Sequence, residues 1–421
     1  MKFKIKIFFT VLISVLASVI TAQTVAFPGA EGFGALASGG RGGSVYHVTS
    51  LNDSGPGTFR DAVSQPNRTI VFDISGVVKI KSRVNASNNL TIAGQTAPGE
   101  GIVIYGDAVS FSGKQNCIVR YIRFRGSINM SKGTCTLIAD NARNLIFDHV
   151  SIEWGRWDNL HVKNSNNITF QYCLNGEAID PQRFGALLEN PDSLTIHHCL
   201  WIDNQSRNPK AKAGIQFINN IIYNWGSNGF VGGHSEADHY QDVINNYFIA
   251  GPNSSNSYIG QFAVTDHVYQ KGNMVDLNRD GSLNGFAATD SAFRSEGLTL
   301  LETPTFSPKV PVTLQTAAQA FVTVLKEAGA SLHRDAIDKR IIGYLNSLGK
   351  EGVIYKTEAD AGGQGELVKA APLKDSDGDG MPDEWEKIHK LNMNDPADGS
   401  AKNDISGYTN LEKYLNELVS K

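Results

Sequence analysis

The 421-residue chain carries 38 Lys and Arg against 42 Asp and Glu, a formal net charge of −4 at pH 7. This slightly acidic balance argues against a nucleic-acid-binding protein, which needs a basic face for the phosphate backbone. Forty-two glycines, with many Asn, Thr, Ile and Val residues, favour a turn-rich β protein. The four cysteines match no zinc-binding spacing.

The amino-terminal segment predicts export. Three lysines lie within the first six residues, an apolar run extends from Ile7 to Ile20, and small residues follow near Ala22. This pattern is typical of a secretory signal peptide over residues 1–22, which is too short to span a bilayer. Later hydrophobic stretches are short and interrupted. We therefore expect a secreted protein, extracellular or periplasmic, without a membrane span.

Strand-like segments recur through the middle of the chain, each alternating apolar and polar residues before a turn at Asn or Gly. Their first apolar positions, at intervals of 21–28 residues, are Leu145, Ile168, Leu194, Ile215 and Val243. Intervals this short leave no room for the crossover helices of a βαβ fold. The repeats therefore predict an all-β fold, a right-handed parallel β-helix whose variable loops build a binding cleft.

A β-sandwich is the alternative architecture, and it would need hairpin turns between antiparallel strands. Asn219-Asn220 and Asn245-Asn246 instead lie within the repeat, where side-chain amides can stack in ladders between coils. This favours the β-helix. Cys173 and Cys199 occupy equivalent places in neighbouring repeats, so we expect them to stack, bonded or not.

Three cations, Arg207, Lys210 and Lys212, lie within six residues between two predicted strands. Such crowding suits an anionic ligand, and neighbouring cations lower one another's pKa. The alternative is a solvated basic turn. Charge alone does not distinguish the two interpretations.

Several segments between residues 25 and 290 resemble the pectate and pectin lyases of polysaccharide lyase family one. Residues 197–210 resemble their catalytic strand and turn. Further resemblance lies in the glycine-rich, cap-like segments 27–34, 39–43 and 48–58, and in segments 91–100 and 147–154. Each segment alone is weak, but their number and order make chance agreement improbable.

The resemblance implies cleavage of α-1,4-linked galacturonan in pectic polysaccharides by β-elimination. A base removes the proton at C5, beside the carboxylate, and the C4 oxygen leaves. The base in this family is an arginine, which corresponds here to Arg207; because the reference pKa of arginine exceeds 12, we expect an alkaline optimum. Cations must pair with the substrate carboxyl as enolate-like charge develops.

Other cations follow from the same resemblance. Lys212 matches a cation that binds the substrate carboxylate in this family, and Lys210 lies beside it. Arg183 matches a lysine that binds substrate. The alternative for Arg183 is an exposed loop charge.

The catalytic calcium of pectate lyases is where the chain departs from the family. The family supplies carboxylates before and after the segment that matches Asp148-His149. Here residues 132–139 contain no acid, and Asp158 is the candidate ligand in the second place. Arg156 resembles instead the arginine that replaces the metal in pectin lyases, so we predict that it neutralises the substrate carboxyl. The alternative is a surface ion pair between Arg156 and Asp158.

Helical spacing appears over residues 314–326 and 334–345, followed by an acidic loop. Five acids fall at positions 1, 3, 5, 9 and 12 of an EF-hand-like pattern: Asp375, Asp377, Asp379, Asp383 and Glu386. This predicts a structural Ca²⁺ site, and the alternative is a solvated acidic loop. Residues 402–412 resemble a degenerate partner loop.

We therefore expect a monomer with a signal peptide (1–22), a β-helix lyase domain (23–290), an extension that packs on the coil (291–370) and a calcium-loop module (371–421). Two other functions fit a β-helix. A polygalacturonase-like hydrolase would cut with clustered aspartates, and a non-catalytic protein would only bind pectin. The central repeats lack an Asp-Asp pair, which favours elimination.

Overall fold

The chain winds into a parallel β-solenoid of about nine turns, with a few helices towards the carboxyl end. The computed structural model describes residues 23–420, so the predicted signal peptide lies outside the described residues. Three sheets run along the solenoid, and strands from consecutive coils pair in parallel within each sheet. The predicted parallel β-helix is confirmed.

Within the described residues the three sheets contain eleven, ten and eight strands. Sheet 1 consists of Ser44–Val48, Arg68–Phe72, Leu90–Ala93, Gln115–Arg120, Arg143–Asp148, Asn166–Gln171, Leu194–His197, Ile215–Ile218, His239–Ile244, Asp266–Lys271 and Thr299–Leu300. Sheet 2 consists of Gly76–Lys79, Ile102–Tyr105, Arg123–Arg125, Ser151–Glu153, Leu174–Gly176, Leu200–Ile202, Ile221–Tyr223, Tyr247–Ile249, Met274–Asp276 and, antiparallel, Phe286–Ala287. Sheet 3 consists of Val84–Asn85, Val109–Ser110, Leu137–Ile138, Asp158–Lys163, Phe184–Glu189, Lys210–Lys212, Phe230–Val231 and Ile259–Gly260.

The register of sheet 1 follows the predicted repeat at Leu145, Ile168, Leu194 and Ile215. The next coil differs, because Ile215 pairs with Gln241 whereas Val243 pairs with Phe217. Gln241 is buried, and its amide donates to the carbonyl of Ala211 at 2.9 Å and to Asp266 at 2.9 Å. A hydrogen-bonded glutamine thus occupies a position where the repeat predicted an apolar residue.

Asparagine ladders hold the turns between coils. Asn116, Asn144 and Asn167 have φ near +55° in consecutive coils, and each amide donates to the asparagine one coil earlier at 3.2–3.3 Å. Asparagine tolerates this left-handed conformation because its short side chain bonds locally. A second, buried ladder joins Asn220 to Asn246 at 3.1 Å, which confirms the stacking predicted there.

Two of the described α-helices have eleven residues each, and the other described helices are shorter. The α-helices are Phe59–Ala62, Asp290–Ser295, Ala317–Glu327, Ala336–Asn346, Asp383–His389 and Asn410–Glu417, and the 3₁₀ helices are Gly94–Thr96, Ser331–His333 and Asp398–Ser400. The two longest confirm the helical spacing of the sequence. No helix within residues 23–420 combines the length and apolar character that a bilayer crossing requires.

Helices Ala317–Glu327 and Ala336–Asn346 cover sheet 2 and share an apolar cluster with it. Beneath them, the buried guanidinium of Arg125 bonds to Glu153, Asp335 and Asp338 at 2.5–2.8 Å. This ionic network attaches the second helix to the coil, because the carboxylates come from both elements.

All four cysteines are buried free thiols. Cys173 and Cys199 stack in consecutive coils as predicted, and the backbone N–H of Cys173 lies 3.3 Å from the sulfur of Cys199.

Candidate active site

The turn that precedes strand Lys210–Lys212 presents Arg207 at the surface of the coil. Arg207 has a φ of +58°, and its carbonyl oxygen packs against the preceding coil. A Cβ atom on Gly185 would lie 2.5 Å from that oxygen, so this close approach requires glycine. The amide of Asn204 donates to Asn208 at 3.0 Å inside the turn, which holds the backbone on both sides of Arg207.

The side chain of Arg207 reaches back over two coils. Its Nη1 donates to the Asp158 carboxylate at 3.1 and 3.4 Å, and its guanidinium carbon lies 4.2 Å from the centroid of the Phe184 ring. Asp158 and Phe184 are register partners in sheet 3, so the guanidinium crosses adjacent strands. The ion pair and the cation–π contact fix its direction, while the side chain stays 21% exposed.

Asp158 is 0% exposed, and this burial raises its pKa to about 7, against the opposing effect of Arg207 and then of His161. The distances describe an ion pair, whereas the pKa describes a carboxyl group that is half protonated near neutrality. Both statements hold together if the pair is fully ionised only above pH 7. A calcium ion at Asp158 would compete with Arg207 for the same two oxygens.

Lys210 and Lys212 share the outer face of sheet 3. They flank Ala211, which is fully buried, so both side chains point away from the core. Lys212 pairs in register with Glu189 on the preceding coil. Burial lowers the pKa of Lys210, and the positive charges of Arg207 and Lys212 lower it further. The structure thus brings together the three cations that the sequence singled out.

Arg183 and Arg156 both contact Asp180 near this face. Arg183 immediately precedes the strand Phe184–Glu189 and has a φ of +59°. Its Nε lies 3.2 Å from the Asp180 carboxylate. Arg156 donates to the carbonyls of Asp180 at 3.0 Å and Met130 at 2.8 Å. The alternative of a surface pair between Arg156 and Asp158 is therefore wrong, because Asp158 is buried and bonds to Arg207.

The two tryptophans of this region differ in exposure. Trp154 is fully buried and donates to Glu177 at 3.1 Å, so it packs the coil and cannot stack on a ligand. Trp157 is 40% exposed and lies over Gly133. Its carbonyl accepts the N–H of Phe184 at 3.1 Å, just before the point where Asp158 and Phe184 pair in sheet 3. Trp157 thus presents an exposed aromatic ring next in sequence to Asp158, the ion-pair partner of Arg207.

The carboxyl-terminal acids form a separate cluster. Two groups of carboxylates, each with oxygens within 4.8 Å of one another, share Asp379: Asp375, Asp377, Asp379 and Asp379, Glu386, Asp398. Asp383 does not join them, because its carboxylate accepts bonds from Ser376 at 2.7 and 2.9 Å and from Lys374 at 2.6 Å. Asp398 was not predicted from the sequence, since it lies outside the twelve-residue pattern and before the predicted partner loop.

Comparison with known proteins gives relatives along nearly the whole chain. The chain is 42% identical over 397 residues to the probable pectate lyase C of Aspergillus fumigatus, covering 94% of both chains. The corresponding figures are 41% over 401 residues for that of Aspergillus flavus, with 95% of both chains covered, and 39% over 400 residues for that of Emericella nidulans, with 95% and 94%. No family model matches the chain.

Solved structures with the same fold are more distant in sequence. One pectate lyase, described with its anti β-elimination mechanism, matches with a TM-score of 0.54 and 15% identity, over 75% of this chain and 99% of that one. The cedar pollen allergen jun a 1 matches with a TM-score of 0.53 and 17% identity, over 71% and 92%. At these identities the likeness shows the fold alone. The sequence relatives show more, and by them the chain belongs to the family of the probable pectate lyases C.

Proposed function

We propose that this protein is a secreted pectate lyase that cleaves α-1,4-linked galacturonan by β-elimination, with Arg207 as the base. One observation carries the proposal. The guanidinium of Arg207 is fixed at the surface by Asp158 and Phe184 and lies on the face that presents Lys210 and Lys212. A base next to cations is the arrangement that removal of a proton beside a carboxylate requires.

The reaction breaks the C5–H and C4–O bonds and forms the C4=C5 double bond. Arg207, in the neutral form that it reaches by losing a proton to solvent at alkaline pH, takes the C5 proton, and the electrons of the C5–H bond move onto the substrate carboxyl group. These electrons then form the C4=C5 double bond as the C4–O bond breaks, the leaving oxygen takes a proton from solvent, and Arg207 returns its proton to solvent. The products are a shortened chain and an oligogalacturonide with an unsaturated end.

The lysines act on the charge that develops during proton removal. As the C5 proton leaves, negative charge spreads onto the substrate carboxyl group. Lys212 and Lys210 present ammonium groups on the outer face of sheet 3, where they pair with that charge. Arg183, at the start of the adjacent strand, binds a neighbouring uronate, and the exposed ring of Trp157 stacks on a sugar face.

Asp158 and Phe184 are positioning residues for the base. Removing the carboxylate or the ring would free the guanidinium to rotate. We expect such misplacement of the guanidinium to lower turnover, because proton transfer needs the donor and the acceptor within hydrogen-bond distance.

A calcium ion in the cleft does not fit the residues near Arg207. Calcium takes about six to eight oxygens, and the carboxylate in the expected place, Asp158, already faces the guanidinium. Arg156 remains the predicted substitute, and its Nη2 is the nitrogen that would meet a uronate, since Nε and Nη1 hold backbone carbonyls.

Absorbance of the product in the ultraviolet tests the proposal, because only elimination creates a conjugated C4=C5 double bond. Wild-type protein should generate it from polygalacturonate, and chelator should reduce the rate only in part. Arg207→Lys should lower turnover by about 10²–10⁴-fold. Arg143→Ala, an exposed arginine on sheet 1, should leave it unchanged.

Two outcomes would contradict the proposal. New reducing ends without absorbance would identify a hydrolase. Saturable binding of polygalacturonate without any product would identify a non-catalytic pectin-binding protein. Running the same assays on methyl-esterified pectin separates pectate from pectin preference.

A further inference from the structure

The acidic cluster of the carboxyl-terminal region joins two loops that are separated in sequence. Asp379 and Glu386 belong to the loop and helix that carry the twelve-residue pattern, whereas Asp398 begins the 3₁₀ helix Asp398–Ser400. The oxygens of these three side chains lie within 4.8 Å of one another. The two loops therefore enclose a single negative centre.

Hydrogen bonds in the cluster leave carboxylate oxygens pointing inward. Asp377 and Asp379 each accept one backbone N–H, at 3.3 and 2.9 Å, and Asp398 accepts the N–H of Asn392 at 2.9 Å. The second oxygen of each of these three aspartates is buried without a hydrogen-bond partner. Each of these three aspartates thus uses one oxygen to shape its loop and leaves the other without a protein partner.

Glu386 is the strongest indication of a ligand. It is 0% exposed, and both of its carboxylate oxygens are buried without a hydrogen-bond partner. An isolated buried carboxylate is very costly unless a cation or hydrogen-bond donors compensate it. The carboxylates of Asp379 and Asp398 lie within 4.8 Å of it and repel its charge, so a bound cation is the counter-charge that would let all three remain ionised.

We infer that one Ca²⁺ binds between the two loops, held by Asp375, Asp377, Asp379, Glu386 and Asp398. A purely oxygen donor set suits a hard cation, and a bidentate glutamate is typical of calcium sites. Asp375 belongs to the cluster although both of its oxygens accept backbone N–H groups, from Gly378 at 2.8 Å and Gly380 at 2.9 Å. Asp383 is not a ligand, because it lies outside both carboxylate groups and its charge is already paired with Lys374. The site is a composite of two loops and differs from a self-contained EF-hand loop.

The position of this ion gives it a role in joining the two ends of the described chain. Met381, at the end of the acidic loop, packs with Ala93 of sheet 1 and with the helix Asn410–Glu417. Within the same loop, the carbonyl of Gly378 lies 3.1 Å from the ring of His47 on the first strand of sheet 1. An ion that orders the acidic loop therefore also orders its contact with the first coils.

Calcium titration of the full-length protein tests this assignment, with calcium alone as the probe. Wild-type protein should bind calcium by calorimetry, and its Tm should rise by roughly 3 °C or more in calcium relative to chelator. Asp398→Asn should weaken binding at least tenfold and reduce the Tm shift at the same calcium concentration. Asp383→Asn is the matched control, because it changes a nearby aspartate outside the cluster, and it should keep the affinity within about twofold.

The opposite pattern would be a weaker calcium affinity in Asp383→Asn and an unchanged affinity in Asp398→Asn. That result would indicate an ordinary EF-hand loop and overturn the composite site. An unchanged Tm in wild-type protein would overturn the site altogether. Hydrogen exchange of the wild-type protein covers the case in which Asp398→Asn fails to fold. Calcium should then protect residues 375–400 and the strand Ser44–Val48, and protection confined to the region of Arg207 would assign the ion elsewhere.

Discussion

Replacing Asp158 by asparagine should change how the stability of the protein depends on pH. The folded protein holds this buried carboxyl at a pKa of about 7, whereas the ordinary value is 3.8. Between these values the folded state keeps a proton that the unfolded chain has released, so the free energy of unfolding falls as pH rises through this window. The difference in pKa corresponds to roughly 4 kcal/mol once pH 8 is reached.

Asparagine cannot ionise, and its amide oxygen still accepts the bond from Arg207. The variant and the wild type should therefore be similar in stability at pH 4, and the variant should gain by up to roughly 4 kcal/mol by pH 8. Urea unfolding of both proteins, followed by tryptophan fluorescence at pH 4, 5, 6, 7 and 8, measures this difference. All other titrating groups are common to both proteins and cancel.

A stability difference that stays constant from pH 4 to pH 8 would contradict a raised pKa of Asp158. It would mean that Asp158 is ionised throughout this range, so that the pairing with Arg207 outweighs burial. Turnover gives a second readout, because Asp158→Asn retains a hydrogen-bond acceptor for the base. It should therefore lose less activity than Arg207→Lys if Asp158 acts only in positioning.

Two further substitutions probe the coil and the cleft. Arg125→Met should destabilise the protein by about 3–5 kcal/mol in urea unfolding, because three buried carboxylates lose their common partner; a loss below about 1 kcal/mol would contradict this account of the helix attachment. Lys212→Met should lower kcat by roughly 10²-fold with little change in Tm, whereas Lys163→Met, at a half-exposed lysine on the same face that pairs with Glu189, should stay within a few-fold of wild type. Equal effects of the two lysine variants would indicate a general charge effect in place of a specific contact.

The parallel coil could be predicted from the sequence because the apolar residues that face the core recur once in each turn of the coil. It also predicted that Arg207, Lys210 and Lys212 share a surface, since they lie within six residues on one strand and its turn. Such local features can be predicted from the sequence because successive side chains on a strand point to opposite faces of the sheet.

Contacts between coils were less accessible from the sequence. Asp158 lies 49 residues before Arg207, and their pairing depends on how three coils stack. Asp398 joins the acidic cluster from a loop with no metal-binding pattern of its own. Gln241 shifted the apparent register because a buried amide with good hydrogen bonds replaces an apolar residue. In each case a side chain is defined by partners that only the folded chain brings near.

Chemical rescue of Arg207→Ala tests directly whether the guanidinium of Arg207 is the base. The variant protein, shown to be folded by its circular dichroism and Tm, is assayed on polygalacturonate for unsaturated product with and without added guanidine. If the guanidinium of Arg207 takes the C5 proton, the variant is inactive alone, and small guanidines restore elimination at a rate that rises with pH. Turnover near the wild-type level by folded Arg207→Ala without any additive would show that another group is the base.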